Sequence, residues 1–153
     1  MRRMLLSCVC AGLVLGLCVA AVAAQGGPAK PGPEHEKLKK FEGQWDATVS
    51  FAGGESKATA TYKLGLGGFW LQHTFKGEFG GAPFEGRGIT GYDPHKKKYV
   101  SAWADSMEPN LTLMEGTFAE DGKTYTETGE GYGMDGKLQK MKSVFEFKGP
   151  DTS

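Results

Sequence analysis

Histidine, serine, arginine and paired carboxylates are the side chains here whose types suit chemistry, and their spacing gives few of them a partner. His73 stands on an alternating segment with Phe69, Leu71 and Phe75 on its own face and Trp70, Gln72 and Thr74 opposite. An imidazole so placed points into an interior. There it either ligates haem or orients a polar ligand group, or it is a hydrogen-bonded core histidine, the commoner arrangement. His35 and His95 fall far away, and no spacing of His, Asp and Glu suggests a shared metal, so no metal site is expected. Asp105 with Glu108 could work as a carboxylate pair. Asp105 and Ser106, however, follow Trp103 where a strand runs into Glu108-Pro109-Asn110, and such residues more often bond to turn backbone. Ser106 has neither a Gly-x-Ser-x-Gly setting nor a placed histidine, so it is not expected to be a nucleophile. Arg87, between Gly86 and Gly88, reaches either inward to an acidic ligand or outward to water. The glycines from Gly86 to Gly91 alternate along a strand with no helix pattern behind them, which reads as backbone curvature and not as a phosphate loop. No catalytic residue is expected on these grounds.

The elements that must hold these side chains are strands. Turn signals fall at Gly53-Gly54, Gly67-Gly68, Gly80-Gly81, Asp93-Pro94, Glu108-Pro109-Asn110, Asp121-Gly122, Asp135-Gly136 and Gly149-Pro150. Their spacing of roughly 13 to 15 residues leaves one strand and one tight turn per interval, with no long crossover. This predicts an all-β fold, an antiparallel up-and-down meander barrel. Trp45, Ala47, Val49 and Phe51 share one face by the period of two, as do Ala58, Ala60, Tyr62, Leu64 and Leu66. Around Leu111 to Met114 and Ser143 to Phe145 both faces carry apolar residues, which predicts a bulge or burial on both sides. Before the first strand, Pro33 suits a first helical turn, Glu34 and Glu36 its positive end, and Lys37, Lys39 and Lys40 the later turn. Leu38 and Phe41 then share a face, so a short N-terminal lid helix should plug one end, with Trp45 buried against Leu38 or Phe41.

The segment before that helix is of another kind. Arg2 and Arg3 precede an apolar and small run from Met4 to Val22 that ends in Ala20-Ala21-Val22-Ala23-Ala24-Gln25, the pattern of a cleaved signal peptide. The expected organisation is a signal peptide over 1–24, a Gly- and Pro-rich linker over 25–32 and one β-barrel domain over 33–153. The protein is then periplasmic or extracellular, with no stable membrane anchor after cleavage. All three cysteines, Cys8, Cys10 and Cys18, lie within the leader, which removes disulfides and thiolate metal sites from the mature chain. Leu17 before Cys18 does not suit lipid attachment. Loss of Arg2 and Arg3 from a formally neutral chain leaves the product slightly acidic, and its one basic run, His95-Lys96-Lys97-Lys98, suits a solvated turn, so nucleic acid is not an expected partner. Asn110-Leu111-Thr112 fits a glycosylation acceptor, relevant only to a eukaryotic secretory route.

Two sets of residues carry a family resemblance. Pro33, Leu38, Phe41, Gly43 and Trp45 resemble the opening of lipocalin-like and nitrobindin-like barrels, in which Gly-x-Trp begins the first strand below a short helical lid. The longer order of Leu66-Gly67-Gly68-Phe69-Trp70-Leu71, Pro83-Phe84-Glu85-Gly86, Gly91-Tyr92-Asp93, Lys98-Tyr99-Val100 and Trp103-x-Asp105-Ser106-Met107 is similar to an uncharacterised bacterial family of exported lipocalin-like proteins, domain-of-unknown-function family 1579. The resemblance implies the fold and export from a bacterial cell, and brings no catalytic residues with it. Members of this kind are expected to continue past Phe145-Glu146-Phe147 with one or two further strands, whereas this chain stops at Ser153, so closure of the barrel stays open. No cofactor is expected. The haem-binding barrels it resembles take their axial histidine from the C-terminal part, and no histidine follows His95. The leading functional expectation is a binding protein for a small apolar ligand held by Trp45, Tyr62, Phe69, His73, Arg87 and Trp103. A solid-cored structural or interaction module is the alternative, since the same aromatics could fill the barrel, and an enzyme comes third.

Overall fold

A computed structural model describes residues 29–51, 54–133 and 136–149. The expected signal peptide, the Gly53 and Asp135 turn positions and Pro150 lie outside these residues, as does the side chain of Phe51. A short helix, α1 (Pro33–Lys37), passes into a tight 3₁₀ turn over Leu38–Phe41. Eight strands follow: β1 (Gly43–Phe51), β2 (Gly54–Gly65), β3 (Trp70–Phe79), β4 (Ala82–Asp93), β5 (Lys98–Asp105), β6 (Thr112–Phe118), β7 (Thr124–Tyr132) and β8 (Leu138–Glu146). Each strand pairs antiparallel with its successor in one sheet of order β1 to β8. Among the described residues β1 and β8 do not pair, so the sheet curls into a half-barrel.

The hairpins have the chemistry their geometry demands. Gly80 and Gly81 join β3 to β4 at φ +60° and +81°, values that two L side chains would resist and that match the twist of a two-residue hairpin. Asp93 Oδ1 accepts hydrogen bonds from the backbone N–H of His95 (2.8 Å) and Lys96 (3.1 Å), which fixes the basic run in the β4–β5 turn. Lys96 and Lys98 both pair there with Glu115, whose carboxyl they lower to about 2. Asp121 repeats the device in the β6–β7 turn, accepting from Lys123 at 2.7 Å.

Alternation puts one set of side chains on the concave face. Trp45 faces Ala60, Tyr62 faces His73, Leu71 faces Thr90, Tyr92 faces Tyr99 and Tyr125 faces Phe145 across successive strand pairs. The helix covers one end of this face. Leu38 is wholly buried (0 % exposed) and Phe41 nearly so, packed with Leu71, Tyr99 and Tyr125. Phe41 meets Phe147 edge-on at 4.9 Å and Tyr125 at 5.5 Å between ring centres. The Tyr99 hydroxyl donates to Glu34, lying 2.8 Å from its carbonyl and 2.9 Å from its carboxylate, and ties α1 to β5.

Three local expectations are corrected. Trp45 does sit at the lid end, its indole N–H donating to the Phe41 carbonyl at 2.8 Å, but it is only half-buried because β1 is an edge strand with no neighbour on one side. Leu66 does not continue the inner face of β2. The chain turns there with φ +51° and leaves Leu66 62 % exposed. The two-faced segments are neither bulged nor buried on both sides: registers β5–β6 and β7–β8 run without interruption, and Leu113 (61 %) and Val144 (50 %) simply point outward.

Candidate functional site

The concave face is filled at the helix end and hollow beyond it. The recess holds about 400 Å³, and its walls include Tyr62, His73, Phe75, Trp103, Met114 and Met141. A wider mouth of about 660 Å³ continues from it past Phe75, Trp103 and Met141 to Phe79, Phe84 and Met107.

Two glycines make room for its central rings. A Cβ on Gly86 would overlap the Trp103 indole, and one on Gly88 would overlap the His73 imidazole. Register explains both, since Gly88 lies between His73 and Trp103, and Gly86 lies opposite Phe75 and Asp105. Gly86 and Gly88 on β4 therefore form a floor for aromatic rings. Gly91 plays the same part for Trp70 on the outer face.

His73 lies between two parallel rings, Tyr62 at 5.3 Å with an interplanar angle of 8° and Trp103 at 5.5 Å and 27°. Among the described residues its Nε2 is buried without a hydrogen-bond partner. Burial lowers the imidazole from its ordinary 6.5 to about 4, so the ring is neutral at physiological pH. The satisfied core histidine expected as the commoner arrangement is therefore not what β3 presents.

Glu127, on the inner face of β7, is a residue that sequence reasoning missed. Its Oε2 accepts from Ser101 Oγ at 3.1 Å and from the Tyr125 hydroxyl at 3.2 Å. Burial raises its carboxyl above the ordinary range, only partly offset by those two bonds. The only available signal was the alternation of Tyr125, Glu127, Gly129 and Gly131, which places a carboxylate on the same face as an aromatic. Below the recess, His73 and Glu127 also line a small floor pocket of about 30 Å³ with Leu71 and Thr90.

Other expected site residues part company. Tyr62, His73 and Trp103 come together in the recess. Trp45 instead lines an adjoining groove of about 450 Å³ between β1 and the end of β8, which shares Tyr62, Phe75 and Phe145 with the recess. Phe69 follows the Gly67-Gly68 turn and packs edge-on against His35 at 5.2 Å, outside the recess. Arg87 has the opposite parity to Gly86 and Gly88, so it points outward, exposed, and pairs with Glu85 at 3.0 Å. Phe69 and Arg87 thus lie apart from the recess that Tyr62, His73 and Trp103 line.

Asp105 is engaged by the loop it begins. Its Oδ2 accepts from the Trp103 indole N–H at 3.0 Å, and its Oδ1 from the N–H of Met107 and Glu108 at 2.9 and 3.1 Å. Ser106 is bound to the Glu85 backbone, its Oγ accepting at 3.1 Å and its own N–H donating at 2.9 Å. Among the described residues no cluster of three His, Cys, Asp or Glu is placed to hold a metal.

An antiparallel meander bent into a half-barrel, capped at one end by a helix and hollow at the other, defines this as a β-meander half-barrel protein. The chain belongs to DUF1579, a family described as a protein of unknown function, which it matches over residues 30–153. A search of curated proteins finds no match to it.

Proposed function

We propose that this chain is an exported binding protein that holds a small apolar ligand against the concave face of its half-barrel. The observation that carries this reading is the recess of about 400 Å³, walled by Tyr62, Phe75, Trp103, Met114 and Met141, with the polar groups of His73 and Glu127 set among them. A concave, mostly apolar site of that size with a few convergent polar groups suits one small molecule. Methionine and ring edges adapt to ligand shape without a charged anchor. Export rests on the Arg2-Arg3 start, the apolar run and the small residues near Ala24. The reading includes no cofactor, no nucleic acid and no chemical step.

A solid-cored interaction module is the competing reading, favoured by the close packing of Phe41, Tyr99 and Tyr125 at the helix end. Native mass spectrometry of the protein purified from its own host separates the two. A ligand reader should carry an added mass that is lost on denaturation. A bare mass, together with no uptake of the neutral probe N-phenyl-1-naphthylamine, would support the solid module.

A further inference from the structure

The recess is selective in its polar chemistry as well as its shape, and three of the donors in and beneath it are committed. Ser101 and Tyr125 hydroxyls both donate to Glu127, and the Trp103 indole N–H donates to Asp105. The charged residues among its walls are Asp105, Glu108 and Glu127, and none of the described lining residues is a lysine or arginine. An anion entering there would meet carboxylates and find no cation. Of the polar side-chain atoms there, His73 Nε2 alone is buried with no partner among the described residues, seated over Gly88 between the rings of Tyr62 and Trp103. The floor pocket that His73 shares with Glu127, about 30 Å³, has room for one group the size of a water molecule, such as a hydroxyl or a carbonyl oxygen.

On the reading of the recess as a ligand site, we propose that its occupant is an uncharged, ring-bearing molecule whose single hydroxyl or carbonyl hydrogen-bonds His73 Nε2, and that carboxylates and sulfonates of the same size are rejected. The flat walls of Tyr62, His73 and Trp103 favour a planar ring by stacking and edge contacts. A neutral imidazole can donate or accept at Nε2 according to tautomer, so either oxygen type serves. The carboxylates set the sign of the discrimination, because like charge at short range in a poorly solvated site is unfavourable.

The test uses three probes with one body, naphthalene, 2-naphthol and 2-naphthoate, displacing N-phenyl-1-naphthylamine from the wild-type chain and from His73→Leu and His73→Gln. In the wild type, 2-naphthol should bind about 5- to 10-fold more tightly than naphthalene, the size of one added hydrogen bond, and 2-naphthoate more weakly than either. His73→Leu should bring the 2-naphthol to naphthalene affinity ratio down to about one, with naphthalene itself somewhat weakened by the loss of one flat wall, and continued uptake of N-phenyl-1-naphthylamine reports that the recess is intact. His73→Gln, which keeps a hydrogen-bonding group, should retain part of the advantage. An unchanged 2-naphthol to naphthalene ratio in His73→Leu, or tightest binding by 2-naphthoate, would overturn the inference with the ligand site still standing. Failure of all three and of the neutral probe to bind the wild type would overturn the ligand site itself.

Discussion

His73 costs the fold stability as pH falls, because it is buried in its neutral form. Its imidazole titrates near 4 in the folded chain against an ordinary 6.5. Between those values the unfolded chain carries the extra proton, so stability declines as pH drops from 6.5 to 4 and loses nothing further from this group below 4. The full window corresponds to about 3 kcal/mol. Glu127 works in the opposite sense: its carboxyl is raised by burial, so the folded chain takes up that proton first and gains stability as pH falls through the raised value. Urea unfolding at pH 7 and pH 4 in wild type and His73→Leu isolates the histidine. The variant should lose clearly less stability between the two pH values, and equal losses would mean that the imidazole is hydrated in the folded state. Gly88 supplies a second check at this scale. Gly88→Ala drives a methyl into the His73 ring, and overpacking of this kind should cost about 1 to 3 kcal/mol in the same unfolding experiment.

Among the elements, the short helix and the 3₁₀ turn after it depend on tertiary contacts, since five residues of helix do not persist alone. Leu38 inserts fully into the half-barrel, and Leu38→Ala should cost about 2 to 5 kcal/mol. Tyr99→Phe removes the tie to Glu34 and should cost about 1 to 2 kcal/mol, with faster amide exchange confined to residues near α1. Uniform exchange in that variant would mean that the helix is held by packing alone. Much of this level is written locally. Gly80-Gly81, Asp93-Pro94 and Asp121-Gly122 fix turns within a few residues, and Trp45, Ala47 and Val49 show their common face by simple alternation. Cross-strand facts are not local. Nothing in the segment around Arg87 says which parity faces inward until Gly88 is set between His73 and Trp103. Of the partners of Glu127, Tyr125 is on its own strand, but Ser101 lies on β5, brought within reach across β6 only by the meander. The apolar residues at Leu113 and Val144 misled for the same reason, because their exposure depends on which face the finished sheet covers.

As a whole, the molecule is, among the described residues, one sheet whose strands pair with their sequence neighbours and no others, a topology built from local hairpins. Among the described residues β1 and β8 are its edge strands, and exposed Lys140 and Lys142 on β8 place charge where strand-to-strand association would begin. The Arg2-Arg3 leader adds an expectation for the intact cell: the mature chain begins at Ala24 or Gln25 outside the cytoplasm. N-terminal sequencing that finds Met1 on a cytoplasmic protein contradicts it. The central claim, a ligand held by the concave face, is tested most directly by nuclear magnetic resonance during titration with N-phenyl-1-naphthylamine. Saturable shifts of the Trp103 indole N–H, the His73 ring and the Met114 and Met141 methyls, with Arg87 and Leu113 unmoved, are the result the account predicts. Shifts confined to the outer face, or none at any concentration the probe reaches, would contradict it.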